Sequence, residues 1–154
     1  MTTLAYRDGI MAADSKTSAC ETNYAKATKI HKLPDGSLVG FCGRSTSCER
    51  MLDIMKQASV SGGLNHDLFS DCKGAMGLYV HADDGKVFYL EGGKHSGYTE
   101  LEGSFFAEGS GFVIALAAMR AGASAKKAVE IACDLDNNSG GPVVTLTLGN
   151  KRKR

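Results

Sequence analysis

Proline is scarce in this sequence, with two residues against 19 glycines in 154. That balance points to a chain with many tight turns rather than long rigid connections. Charge of one sign is missing as well. Eighteen basic and 17 acidic residues leave a formal net charge of +1, which removes any global electrostatic argument for nucleic acid or a membrane surface as partner. No apolar run approaches the ~20 residues a bilayer-crossing helix needs, and the start of the chain lacks a signal-peptide pattern. The five cysteines, Cys20, Cys42, Cys48, Cys72 and Cys133, are odd in number and show no CxxC or Cys/His ligand spacing. They read as buried free thiols in a reducing cytoplasm. His31, His66, His81 and His95 are dispersed, so the sequence suggests neither a metal site nor a cofactor. The tail of Lys151, Arg152, Lys153 and Arg154 reads as a solvated terminus rather than a nucleic-acid element.

What is present is a set of hairpin signals. Asp8-Gly9, Asp35-Gly36 and Asp84-Gly85 each separate two apolar runs, and Asp-Gly supplies the positive φ values of tight hairpin turns. The expected hairpins pair residues 2–6 with 10–14, 29–33 with 38–42, and 76–82 with 86–90. Further strands are expected near 98–101 and 104–107, and the run 142–148 (PVVTLTL) reads as the last one. Three helices interleave. In 45–59, Cys48, Leu52, Met55 and Ser59 make an apolar-leaning stripe. The segment 112–121 is apolar nearly all round and stops at Gly122, so it is expected to be heavily buried. Ser124 is a good N-cap for 125–135, with Ala125, Val129 and Ala132 on its inner face. The pattern predicts an α+β chain, two antiparallel sheets sandwiched between helical layers. A length of 154 residues fits one domain over 1–150, with 151–154 outside it.

The opening residues carry the chemical signal. Thr2 and Thr3 follow Met1 directly and lead into strand-like sequence. Removal of Met1, usual before a small residue, would leave Thr2 as an N-terminal residue at a strand end. One carbon skeleton then holds a hydroxyl nucleophile and an α-amine, a usable base near neutral pH. A nearby lysine would acidify both groups, and an acidic partner would hold that lysine charged. Asp14 and Lys29 suit these roles, although either taken alone reads as an ordinary surface charge. Gly40-Phe41-Cys42-Gly43 ends a strand where a helix opens, and a glycine N–H there can meet a developing oxyanion. Gly109-Ser110-Gly111 places a serine at a helix start, where it reads equally as an N-cap. Asp136 through Ser139-Gly140-Gly141 either closes a turn or sets a carboxylate and a hydroxyl beside the α-amine.

In their order and combination these motifs resemble the proteasome β-subunit family, including its bacterial and phage relatives. The opening Thr2-Thr3-Leu4-Ala5 and the run Gly9 to Lys16 are similar to that family's N-terminal hairpin, and the resemblance spans the chain. It implies a four-layer α/β/β/α N-terminal-nucleophile hydrolase sandwich. It implies Thr2 as nucleophile, Asp14 and Lys29 as the activating pair, and the Gly43 N–H as oxyanion donor. Ser110, Asp136 and Ser139 would organise the amine and a water. Thr17, Ala27, His31, Phe41, Ser45 and Glu49 would line the substrate pocket. The implied activity is threonine-type peptidase action on peptide or unfolded protein in a cytoplasmic homo-oligomeric ring, with an unfoldase or partner ring open. A catalytically silent ring subunit and an amidase acting on a small amide are the alternatives. One departure stands out: the family usually has two helices between Gly43 and the next hairpin, and 62–73 is too short and glycine-rich for the second.

Overall fold

The Asp8–Gly9 pair bends the chain as its backbone preferences predict. Both residues take positive φ, 52° and 78°, the combination that a two-residue type I′ turn requires. The turn closes β1 (Thr3–Arg7) onto β2 (Ile10–Ala13), with Arg7 opposite Ile10 and Leu4 opposite Ala13. The computed structural model describes residues 1–17 and 26–149. Cys20 and the basic tail 151–154 therefore lie outside the described residues.

In chain order the remaining elements are β3 (Ile30–Lys32), β4 (Leu38–Gly43), α1 (Ser45–Ser61), β5 (Ala75–Val80), β6 (Val87–Glu91), β7 (Gly97–Leu101), β8 (Phe105–Gly109), α2 (Phe112–Arg120), α3 (Ala125–Leu135) and β9 (Val144–Thr147). Each expected strand and helix is there, with ends shifted by a residue or two. Contacts divide the chain into two units, Met1–Ile30 with Gly103–Thr147, and His31–Glu102 with residues 148–149.

The first unit is built on a four-stranded antiparallel sheet in the order β8-β1-β2-β9. Its core is made of small side chains. Ala5 and Ala12 of the sheet meet Ala115 and Met119 of α2 and Ala125, Ala128 and Val129 of α3. Alanines at these positions let helix and strand backbones approach closely, and all seven are buried. The Ser124 hydroxyl accepts from the Lys127 N–H at 3.2 Å, the N-cap expected for α3. Arg7 reaches the other helix, donating to the Met119 and Ala123 carbonyls at 2.6 and 3.1 Å at the end of α2. A cation there answers the orphan carbonyls and the negative end of the helix dipole.

The expectation of a heavily buried α2 is corrected. Only Ala115 and Met119 are buried, while Phe112 and Val113 are 42% and 62% exposed. An all-apolar helix has no sequence signal for which face meets the sheet, and here one narrow row does so. The N-cap of α2 is Gly111 with no side-chain cap bond, so the capping alternative for Ser110 is excluded.

The second unit carries a five-stranded sheet, β3-β4-β5-β6-β7. Its core gathers Leu33, Val39, Phe41, Met51, Met55, Phe69, Tyr79 and Leu90. The stripe read on α1 holds at Met55 and is offset by one position ahead of it: Ser47, Met51 and Met55 are buried, and Cys48 and Leu52 flank them, half-buried. Successive i, i+4 neighbours form the row that meets the sheet. After α1 stops at Gly62 (φ 72°), the connection to β5 holds a single 3₁₀ turn, His66–Phe69, in place of a second helix. Among the described residues, no helix is long and apolar enough to cross a membrane.

Candidate active site

Register places the chemistry. The β1–β2 pairing, continued one step past Leu4 and Ala13, sets Thr3 opposite Asp14, and the Asp14 N–H donates to the Thr3 carbonyl at 3.2 Å. The β1–β8 pairing ends with Thr3 opposite Gly109. One step further, the Ser110 N–H donates to the Thr2 carbonyl at 2.7 Å. Thr3 is thus held from both sides and Thr2 from the β8 side, and both are buried.

On the β2 side stands a saturated carboxylate. Asp14 Oδ1 accepts from the Thr3 N–H at 2.9 Å and from Lys29 Nζ at 2.8 Å. Its Oδ2 accepts from the backbone N–H groups of Lys16 and Gly140 at 3.2 and 3.1 Å. The Lys29 ammonium spends its three donors on Asp14, on the Lys16 carbonyl at 2.6 Å and on the Met1 carbonyl at 2.8 Å. The side chains of Lys29 and Asp14 are 8% and 0% exposed, so the pair is shielded from solvent. The third acceptor of Lys29 belongs to the exposed Met1, the residue covalently joined to the Thr2 nitrogen.

On the β8 side, Ser110 meets the turn that follows α3, residues 136–139. Ser110 Oγ and Ser139 Oγ donate to Asp136 Oδ2 at 2.7 and 2.6 Å, and the Asn138 N–H reaches Asp136 Oδ1 at 3.2 Å. Partial burial pushes the Asp136 carboxyl up, but the hydrogen bonds from Ser139, Ser110 and Asn138 outweigh it. The net position is below the ordinary carboxylate value. Asp136 is therefore an anion at neutral pH. Ser139 Oγ also lies 2.6 Å from Thr3 Oγ1, which accepts from the Gly111 N–H at 3.1 Å.

Both glycines around Ser110 are required by these approaches. A Cβ on Gly109 (φ 96°) would stand 1.9 Å from the Thr2 carbonyl oxygen, and one on Gly111 would stand 2.2 Å from Thr3 Oγ1. The structure thus brings Thr2, Asp14, Lys29, Ser110, Asp136 and Ser139 into one neighbourhood of the first unit. Thr17 and Ala27 belong to the same unit, and the Ala27 N–H donates to the Ser15 carbonyl at 3.0 Å. Gly43, His31, Phe41, Ser45 and Glu49 belong to the second unit. There Gly43 (φ 110°) ends β4, and a Cβ on it would stand 1.9 Å from the Gly74 carbonyl oxygen, so close packing already demands glycine. Phe41 is buried in that unit's core, which leaves its backbone rather than its ring for any ligand. Ser45 and Glu49 are exposed on α1 and His31 is half-buried on β3.

Sequence reasoning missed Thr3. Its hydroxyl joins the network as closely as any of the residues singled out, and the signal for it was the second threonine of the opening pair. Other nucleophiles recede: burial pushes the Cys48 and Cys133 thiols up to about 11, so both are protonated near neutral pH. Among the described residues no group of three or more His, Cys, Asp or Glu side chains is arranged to hold a metal ion.

No family model matches the chain, and no curated protein does. Solved structures do. A Thiobacillus denitrificans protein, BPH, solved alone and in complex with epoxomicin, is 22% identical with a TM-score of 0.63; the match covers 96% of this chain and 98% of that one. The eukaryotic HslV of Trypanosoma brucei is 20% identical with a TM-score of 0.66, covering 96% of this chain and 99% of its own. The resemblance drawn from the opening hairpin and the later motifs therefore holds at the level of the fold: this chain has the α+β fold of the proteasome-like N-terminal-nucleophile hydrolases.

Proposed function

We propose that the chain is a threonine-type peptidase in which Thr2, exposed by removal of Met1, is the nucleophile. The observation that carries this reading is the Lys29 ammonium, which donates to the Met1 carbonyl at 2.8 Å while Asp14 and the Lys16 carbonyl hold its other two donors. Loss of Met1 would free one N–H of a fixed, buried cation beside residue 2. The same cut would release the Thr2 α-amine. A cation so placed favours the ionised hydroxyl and lowers the amine pKa toward the working range.

In this mechanism Thr2 Oγ attacks the peptide carbonyl carbon, and its proton passes to the α-amine. The C–N bond then breaks, the leaving amine takes that proton, and an ester joins Thr2 to the acyl fragment. Water, deprotonated by the same α-amine, attacks the ester and restores the hydroxyl. Ser110, Asp136 and Ser139 would hold the amine end of the site, and Thr17 and Ala27 would line the pocket for the acyl fragment. We take residues 1–150 as one domain working in the cytoplasm on unfolded peptide. It would do so within a homo-oligomeric ring, to which the exposed Phe112 and Val113 of α2 offer apolar surface.

The test begins with intact mass, which must show Met1 absent. Epoxomicin is the probe, because its epoxide and ketone suit a hydroxyl and an amine on adjacent carbons, and because BPH is seen in complex with it. The parent should be labelled once per chain and cleave peptides; Thr2→Ala should do neither and Thr2→Ser should keep part of both. A Thr2→Ala protein that cleaves at the parent rate removes the assignment. Light scattering tests the ring, since a stable mass near the 16.2 kDa of one chain refutes it.

A further inference from the structure

We propose that Thr3, the residue after the assigned nucleophile, is a positioning residue of the same site. Its hydroxyl orients the Ser139 hydroxyl toward Asp136 and so fixes the direction of a hydrogen-bond chain that ends beside Thr2. This rests on the peptidase reading above.

The direction follows from counting protons. A hydroxyl has one hydrogen and a carboxylate none. Asp136 is anionic, so the 2.6 Å contact with Ser139 Oγ uses the serine hydrogen. Ser139 then has only lone pairs left for the 2.6 Å contact with Thr3 Oγ1, and Thr3 must donate. Thr3 in turn has lone pairs left to accept from the Gly111 N–H, as it does at 3.1 Å. At the far end, Ser110 donates its one hydrogen to the same Asp136 Oδ2 at 2.7 Å. That hydrogen also faces the Thr2 carbonyl oxygen, the longer of its two acceptors at 3.3 Å, so the Ser110 lone pairs are left as acceptors.

The chain thus runs Gly111 to Thr3 to Ser139 to Asp136, with Ser110 feeding the same anion from the Thr2 end. An acceptor fixed beside residue 2 is what an α-amine needs if it is to take up a proton and return it. Thr3 has no exposed surface and cannot trade these partners for solvent. Without its hydroxyl, Ser139 loses the donor that orients it, and Asp136 loses a stable hold on one of its two hydroxyl donors.

A merely structural Thr3 would fill space or satisfy the Gly111 N–H at the N-cap of α2. Thr3→Val keeps the shape and removes the hydroxyl, whereas Thr3→Ser keeps the hydroxyl and removes a methyl. With Met1 removed from every protein, kcat and KM on a peptide and the rate of epoxomicin labelling are measured. Thr3→Val should lower kcat and labelling about 10- to 100-fold, at the scale of a weakened proton-transfer step, with KM within about twofold. Thr3→Ser should stay within about threefold of the parent. Ser139→Ala should lose as much as Thr3→Val, and the double variant should lose no more than either, as members of one chain do.

Thr3→Val at the parent rate, Thr3→Ser falling as far as Thr3→Val, or multiplicative losses in the double variant each overturn the proposal. If Thr3→Val does not fold, Ser139→Ala carries the test from the other end, and parent-like kcat there overturns it equally. A parent that neither cleaves nor is labelled defeats the peptidase reading itself. An active parent with an unimpaired Thr3→Val defeats only this inference.

Discussion

Replacing Asp14 by asparagine removes one charge and turns one acceptor oxygen into a donor. The side chain accepts four hydrogen bonds, two on each oxygen, from Thr3, Lys29, Lys16 and Gly140. Whichever way the amide sits, its NH₂ faces two donors and leaves both without a partner. Each orphaned buried donor costs about 1–3 kcal/mol. The accompanying effect is on Lys29, whose ammonium keeps two backbone carbonyls but loses its counter-charge while 8% exposed. Breaking a shielded ion pair by removing one partner costs about 3–5 kcal/mol. The two estimates describe overlapping losses, so the expected destabilisation is about 3–5 kcal/mol rather than their sum.

Urea unfolding followed by far-UV circular dichroism at pH 7 measures it, provided the m-value is unchanged. A double-mutant cycle with Lys29→Met isolates the pair. With both charges gone the second substitution should cost much less than it does alone, giving a coupling of at least about 2 kcal/mol. Added salt should change that coupling little, because solvent ions screen a shielded pair weakly. Loss of under about 1 kcal/mol, or strict additivity with Lys29→Met, would show that Asp14 is not the hub described here.

Gly109→Ala should destabilise by several kcal/mol, since its Cβ would meet the Thr2 carbonyl at 1.9 Å. Gly9→Ala, at similar positive φ with open space around it, should cost only about 1–2 kcal/mol; equal costs by urea titration would refute the close-approach argument. Asp136 has a folded pKa below its unfolded value, so its contribution is present above about pH 4 and lost as pH falls through the folded pKa. Asp136→Asn should therefore flatten the acid limb of the stability profile, with Asp84, also lowered, accounting for part of the remaining slope; parallel profiles for parent and variant would count against it. Ser124→Ala should cost about 1 kcal/mol through loss of the α3 N-cap, and a change within error would mean that the 3.2 Å bond contributes nothing.

Much of this architecture could be read because it is encoded locally. Asp8-Gly9 requires positive φ at two adjacent positions, Ser124 is a cap three residues from the N–H it accepts, and residues 62–73 cannot build a full helix. Asp14 was legible for a similar reason, since hairpin register follows from the turn. Lys29 stands outside that hairpin, just ahead of β3 of the other sheet, and turn register does not place it. Thr3 was not, because its partners lie 108 and 136 positions away and only the folded sheet brings them together. The row of α1 that meets the sheet was misplaced by one residue ahead of Met55, since Met51 and Cys48 are nearly interchangeable in hydropathy and only packing separates them. Arg7 at the end of α2, and the exposure of Phe112 and Val113, are likewise decided by which surfaces meet. The need for glycine at 109 and 111 was recognisable as a pattern, but its cause is a carbonyl and a hydroxyl from the other end of the chain.

The β1–β2 hairpin also behaves as a counting device. A two-residue type I′ turn closes on a hydrogen-bonded pair, here Arg7 and Ile10, and such pairs alternate with non-bonded ones along an antiparallel ladder. Thr3 stays opposite Asp14 only if residues are gained or lost equally on both strands, and the turn type survives only if they come in steps of two per strand. A single insertion in β2 would turn the carboxylate to the opposite face of the sheet, away from Lys29, and one in β1 would turn the Thr3 side chain over in the same way. The length of this hairpin is therefore free to change in discrete increments and forbidden in between, so insertions spaced along it should fall into tolerated and dead classes by parity alone.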